Sequence, residues 1–403
     1  MNSKINRRKF IGMAASSSAT LLLSPSFAFA GTHVSDRKIR VGVVGGRFGL
    51  EFFFNEHPNC VVEAVSDLLD DRRTALMKTY QCEKSFESLE KMVLDPKIEA
   101  IAIFTGAPDH ARHVIMALNH GKHVLCAVPV AMTLDDCHMI LETVKRTGLT
   151  YMMAETTTYR QPVITVKKLF KEGAFGRIFS SASQYYHPGG DYIPTPQDKT
   201  NWRYGLPPML YPTHVTAHLV AVTGERLTTV SCLGWGDAES PMLKGNMYST
   251  PFWNQTAFFK TNEGNAFIGE VCWKGALVGT ERGEWRGEKM SFYAGYKGLD
   301  THKVLAIGSK SGLDDGGFAV SVPTVEKYEQ EKWWKTMLPA PINHQSHHGD
   351  SHCFITHEFI SSIIENRQPE VNIYEALAYT VPGIIANESS LRNGEMMSIP
   401  TLT

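Results

Sequence analysis

Between residues 38 and 154, short apolar runs alternate with longer stretches whose apolar positions recur every three to four residues. Short runs rich in β-branched residues read as buried strands, and the 3.6-residue recurrence reads as helix. The predicted strands are 38–44 (KIRVGVV), 61–65, 100–104, 123–126 and 151–154, with helices at 110–119 and 134–147. Such β-α alternation predicts a parallel sheet with helices on both faces. From about residue 159 the pattern changes. Residues 177–187 (RIFSSASQYYH) alternate as a strand, and 255–273 reads as a hairpin turning at Asn262-Glu263-Gly264. Several such runs in sequence predict an antiparallel sheet. Helical periodicity returns at 352–365 and 374–391, and the Gly- and Pro-rich stretch from Gly189 to Lys199 predicts a mobile rim.

The first strand ends in Gly45-Gly46-Arg47-Phe48-Gly49. A strand, a glycine-rich turn and a helix open a dinucleotide-binding unit, because glycines let backbone N–H groups approach a pyrophosphate. The second strand ends at Asp67, 22 residues after Gly45, close to the spacing of an acid that holds a ribose 2′-hydroxyl. That favours NAD, while Arg72 and Arg73 keep the 2′-phosphorylated cofactor open. The turn is one residue short of GxGxxG, and glycines also make plain tight turns, so the β-α repeat carries the reading. Ligands of such sheets sit outside the carboxyl ends of the strands. The residues there are Gly45, Asp67, Thr105-Gly106, Ala127-Val128-Pro129 and Glu155.

Composition narrows the class. The formal net charge of −1 gives no footprint for nucleic acid. Residues 1–30 read as an export signal: Lys4 to Lys9 is cationic with adjacent Arg7 and Arg8, Ile11 to Leu23 is weakly apolar, and Ala28-Phe29-Ala30 fits a cleavage site. The arginine pair points to the twin-arginine route, and hence to a periplasmic or otherwise exported bacterial protein. Removing these four cations, with no acid among them, takes the net charge to −5. No later run is long and apolar enough to predict a membrane span. Seven scattered cysteines without a CxxC pair read as free buried thiols.

Residues 98–136, from IEAIAIFTGAPDHARH through GKHVLCAVPV, resemble the Gfo/Idh/MocA oxidoreductases, as do 172–178, 357–369 and 383–390. The resemblance implies a Rossmann NAD(P)-binding domain over 31–158. It also implies an α+β domain over 159–403 with a large open, mainly antiparallel sheet whose outer face serves homo-oligomerisation. The substrate it implies is a carbohydrate. It extends the cofactor set to Gly45, Gly46, Arg47, Phe48, Gly49, Asp67, Thr105, Gly106, Pro108, His110, Ala127, Val128, Pro129 and Glu155. The family's catalytic lysine position is Val128, which can neither move a proton nor hold a charge. Val128-Pro129 and MMAETTTYR at 152–160 are similar to a branch that includes the NAD-dependent glycosidases of glycoside hydrolase family 109.

The main chemical signal is LYPTH at 210–214. His214 matches the family's catalytic histidine, whereas the usual flanking acids are Leu210 and Ala217. Pro212 and Thr213 fit a helix start, from which Tyr211 and His214 would face the nicotinamide. A histidine near neutrality, or a tyrosine aided by it, can take a carbinol proton. Trp202, Arg203, Tyr185, His187 and Tyr159 are candidate substrate-binding residues. His344, His347, His348, His352 and Asp350 invite a metal reading, but their spacing is loose and the resemblance implies no metal. Three functions remain open: a sugar oxidoreductase with tightly bound NAD, a redox-neutral NAD-dependent glycosidase, and a sugar-binding relative without chemistry.

Overall fold

Strands buried on both faces lose their polar alternation, and the apolar runs before residue 154 are of this kind. The computed structural model describes residues 36–187 and 201–403, apart from 238, 241, 277–278, 296–298 and 314, with 306–311 and 321 described as backbone alone. The export segment 1–30 and the rim expected at 189–199 lie outside the described residues. Strands β1 (Ile39–Val44), β2 (Cys60–Ser66), β3 (Ser85–Phe86), β4 (Ala100–Ile103), β5 (His123–Cys126) and β6 (Tyr151–Met153) form an all-parallel sheet in the order β3-β2-β1-β4-β5-β6. The order reverses between β1 and β4, where open α/β sheets take their ligands. Helices His110–Asn119 and Leu134–Thr147 form where the periodicity puts them. The second is capped by Thr133, whose side chain accepts from Asp136 N at 3.1 Å, and stopped by Gly148 at φ 66°.

The helix expected after the glycine turn does not form. Two short 3₁₀ turns, Phe48–Glu51 and Phe54–Glu56, replace it. Three consecutive phenylalanines explain the difference. A continuous helix would fan Phe52, Phe53 and Phe54 around its circumference, whereas here Phe52 and Phe54 are both buried and Phe53 breaks the run at φ 55°. The pyrophosphate cradle is therefore a glycine turn without a full helix dipole behind it.

The second sheet contains β7 (Ile178–Tyr186), β8 (Leu227–Trp235), β9 (Asn254–Thr261), β10 (Ala266–Cys272), β11 (Thr280–Gly287), β12 (Met290–Tyr293), β13 (His302–Leu313), β14 (Ala319–Lys327) and β15 (Met397–Ser398). Its order is β14-β13-β12-β11-β7-β10-β9-β8-β15, antiparallel except for β7 beside β10. Helix Thr213–Thr223 is buried almost throughout on this sheet. Helix Ile373–Leu391, capped by Asn372, ties the two sheets together. Its Thr380 Oγ1 accepts from Val130 N at 3.3 Å, behind the first sheet, and its Tyr379 carbonyl accepts from Thr216 Oγ1 at 2.7 Å.

Gly383 sets the distance of that clamp. A Cβ there would stand 2.3 Å from both Met209 O and Pro212 Cγ. Alanine favours an isolated helix over glycine by about 1 kcal/mol, yet Gly383→Ala is expected to destabilise the protein by about 1–3 kcal/mol through overpacking. Urea denaturation of the variant measures the sign.

Candidate active site

The cleft lies along the carboxyl ends of the first sheet and holds about 740 Å³, within the range of small-molecule sites. Gly45 opens it at φ 102°, with Phe104 O only 2.4 Å from where a Cβ would stand. Asp67 turns back onto this loop: Oδ2 accepts from Gly46 N at 2.8 Å and Oδ1 from Leu69 N at 2.9 Å. Gly45, Gly46, Arg47, Phe48, Asp67, Thr105, Gly106, Pro108, Ala127 and Val128 all line the cleft. An acid beside a side-chain-free turn, at the switch point of a parallel sheet, is a donor and acceptor set that fits a dinucleotide. No lysine lines the cleft among the described residues, and Val128 stands on its wall.

The part of the cleft contributed by the second half is aromatic and basic, lined by Tyr185, His187, Trp202, Arg203, Tyr211 and His214, with His348 beside Phe48 of the glycine turn. The Arg203 guanidinium lies 4.3 Å from the Trp202 ring and 5.2 Å from the Tyr211 ring. His214 is 6% exposed, with Tyr185 at 4.6 Å and Tyr211 at 5.3 Å between ring centroids. Its Nδ1 faces Glu155 Oε1 at 2.8 Å and Glu281 Oε1 at 3.9 Å, which leaves Nε2 for the cleft. Thr157 braces both acids: its N donates to Glu155 Oε1 at 2.9 Å and its hydroxyl donates to Glu281. Arg160 Nη2 donates to Glu281 Oε2 at 2.7 Å.

Burial opposes charge on His214, but Glu155 and Glu281 outweigh it and raise the imidazole pKa above its ordinary value. Burial likewise opposes ionisation of Glu281, and Arg160 followed by His214 overcome it, holding the carboxyl at about 2. Two anions and two cations are thus packed together. His218, one turn further along, is the contrast: burial pushes it down to about 4, and Ser183 Oγ lies 2.8 Å from its Nδ1.

Several expected site residues are placed elsewhere. Glu155 does not line the cleft; it sits beneath His214, because the chain after β6 turns inward. His110 is a buried rivet, its ring nitrogens 2.7 Å from Pro129 O and 3.2 Å from Thr105 O, so it and Pro129 hold the wall from behind. Gly49 is buried near Phe104 and Val43. Tyr159 is fully buried and stacks on Phe354, away from the cleft. Of the histidine cluster, His348 and His352 meet Glu51 with ligand atoms within 4.8 Å, while His344 Nε2 faces Glu56 at 2.8 Å. The rings of His348 and His352 stack at 21°, so their in-plane lone pairs do not converge on one ion. Glu281 and Arg160 were missed. Arg160 ends the quoted MMAETTTYR motif, but nothing in the β11 sequence marks Glu281 as facing a histidine.

Residues 39–155 match a family described as an oxidoreductase family with an NAD-binding Rossmann fold, Gfo/Idh/MocA. A glycosyl hydrolase family 109 protein of Solibacter usitatus (strain Ellin6076) is 24% identical over 322 residues, covering 76% of this chain and 72% of the relative. A 2,7-anhydro-N-acetylneuraminate hydratase of Escherichia coli (strain K12) is 32% identical over 145 residues, covering 35% of this chain and 38% of the relative. Among solved structures, levoglucosan dehydrogenase in complex with NADH and L-sorbose superposes with a TM-score of 0.72 at 18% identity, covering 91% of this chain and 100% of that one. That likeness concerns the fold.

Glu281→Gln removes one of the two anions that hold the proton on His214. If neutral His214 is the base, the acidic limb of kcat/KM lies above pH 6.5 in the wild type. In the variant it is expected to move toward acid. A pH–rate profile of both proteins checks this.

Proposed function

We propose that this chain, whose residues 39–155 match an NAD-binding oxidoreductase family, oxidises a CH–OH group of a sugar or glycoside while keeping its cofactor bound. The observation that carries the reading is His214, seated on Glu155 at 2.8 Å and lining, with Tyr211 and Val128, the same cleft as the glycine turn. When bound, NAD supplies the acceptor for the carbinol hydride. The chain's own residues do the rest. Neutral His214 takes the hydroxyl proton at Nε2 in the oxidising direction; protonated His214 returns it to the carbonyl oxygen in the reducing direction. The raised pKa favours the charged ring, which suits the reducing half. Trp202, Tyr185 and Tyr211 offer flat apolar faces for a sugar ring, and Arg203 offers a fixed hydrogen-bonding fork.

A redox-neutral glycosidase is the second reading, favoured by Val128 in the lysine place and by family 109 relatives that align with most of the chain. Transient oxidation at C3 would acidify the C2 proton, the C1 substituent would leave, water would add, and the ketone would be reduced again. The sum is glycoside plus water giving sugar plus alcohol, with no net oxidation.

We further propose export through the twin-arginine route with cofactor already loaded, since that route carries folded proteins. All seven cysteines are free and six are buried, which agrees with folding in a reducing compartment. Leu233, Trp235 and Phe258 are exposed on β8 and β9, a face suited to homo-oligomerisation.

Denaturing the mature protein should release about one NAD or NADH per chain, read by mass spectrometry. Glycoside cleavage without added cofactor selects the second reading; NADH formed with a free sugar selects the first. His214→Ala is expected to lower turnover by about 10²–10⁴-fold with the nucleotide still bound; an empty protein that also refuses added NAD removes both readings.

A further inference from the structure

The glycine turn has no full helix behind it, and a column of rings stands there instead. Phe104 stacks on Phe52 at 4.2 Å, Phe52 on His352 at 4.3 Å, and His352 on His348 at 4.8 Å. Phe48, on the turn itself, lies edge-on to all four rings, at 5.1 to 5.7 Å between centroids. The column begins at the end of β4 and passes through Phe52 and His352, both buried. His352 is fixed by its Nδ1, which donates to Glu51 O at 2.8 Å. The last ring, His348, is exposed and lines the cleft beside Phe48.

The backbone under His348 is strained. His348 (φ 51°, ψ 50°), Gly349 (φ 68°) and Asp350 (φ 67°) are left-handed in a row, and two of the three carry a Cβ. Side chains disfavour that region, so such a run persists only where its surroundings over-determine it. Here Asp350 Oδ1 accepts from Ser346 N at 3.0 Å, and Ser351 Oγ donates to His348 O at 3.0 Å. Gly349 lets the turn close on Arg160, whose Cγ is 3.2 Å from where a Cβ would stand. Turn and column together fix the imidazole, yet no described residue hydrogen-bonds it. Its ion pair with Glu51 Oε2 spans 3.9 Å from Nδ1, too long for a hydrogen bond.

The neighbours of this ring point to its ligand. It borders a turn whose bare backbone fits a pyrophosphate. Dinucleotide sites ordinarily add the partial positive charge of a helix N-terminus, and here a four-residue 3₁₀ turn replaces that helix. Arg47 and Arg72 line the same stretch and add charge, but on long stems that lose rotamer freedom when they engage. The imidazole is ordered already, and its N–H can make a charge-assisted bond to a phosphate oxygen. Resting on the reading of this cleft as a dinucleotide site, we infer that His348 is a cofactor-binding residue, donating a ring N–H to the pyrophosphate bridge in place of the helix N-terminus.

Two variants test this. Asparagine tolerates the left-handed backbone and lacks the ring, so His348→Asn removes the donor without straining the turn further. His348→Phe keeps a ring for the stack and removes the donor alone. Isothermal titration of the full-length proteins, cleared of bound nucleotide on charcoal, would compare NAD, ADP-ribose and adenosine. Both variants are expected to bind NAD and ADP-ribose about 10- to 100-fold more weakly than wild type, as loss of one charge-assisted bond implies. Adenosine, which lacks the bridge, should bind all three proteins equally. Wild-type affinity for NAD in either variant would overturn the inference and leave the dinucleotide reading standing. A loss for NAD that spares ADP-ribose would overturn it as well, since the contact would then be with the nicotinamide side. So would a loss that extends to adenosine, which marks general damage to the cleft. A wild-type protein that binds neither NAD nor ADP-ribose would overturn both readings.

Discussion

A carboxylate from the end of the first sheet and an imidazole from the second half meet 2.8 Å apart in the interior, and the site is organised around that contact. Neither Glu155 nor His214 could stay ionised there alone, because an unpaired buried charge is costly. Glu281 and Arg160 turn the pair into a four-member group without net charge. Thr157 connects its two acids, and Nε2 of His214 is left facing the cleft.

Holding that pair in register demands that the two sheets not slide. Helix Ile373–Leu391 does this with ordinary backbone chemistry: it receives the Val130 N–H on one side and the Thr216 hydroxyl on the other. Gly383 lets it approach the turn that presents Tyr211 and His214. The loop behind Val128 and the helix behind His214 are thereby fastened to one rod.

That no described residue of the cleft wall is a lysine then has a consistent physical meaning. A lysine near the nicotinamide would share the proton load with the histidine. In the proposed reaction the load falls on an imidazole whose pKa two carboxylates raise. Such a group returns protons readily and accepts them only as pH rises. That bias suits a cycle in which oxidation is followed by reduction on the same protein.

Much of this was legible in the chain. The parallel sheet was, because buried strands write continuous β-branched runs and crossover helices write a 3.6-residue period. Gly45 and Asp67 were, because a turn at positive φ and an acid at set distance are local demands. Tyr211 and His214 were, because LYPTH is a motif. The missing helix after the glycine turn needed the structure, since burial of Phe52 and Phe54 overrode a pattern that permits either. Tyr159 read as a cleft residue and proved to be core, because a tyrosine looks the same in both places. The sequence by itself determined the nucleotide half through local spacing and, through the family resemblance, singled out Tyr211 and His214 as candidates. Only the tertiary structure decided that Glu155 serves His214 and that Glu281, 67 residues further along, joins them. Charges that neutralise one another across two sheets leave no periodic mark on the chain, for the force between them depends on distance in space.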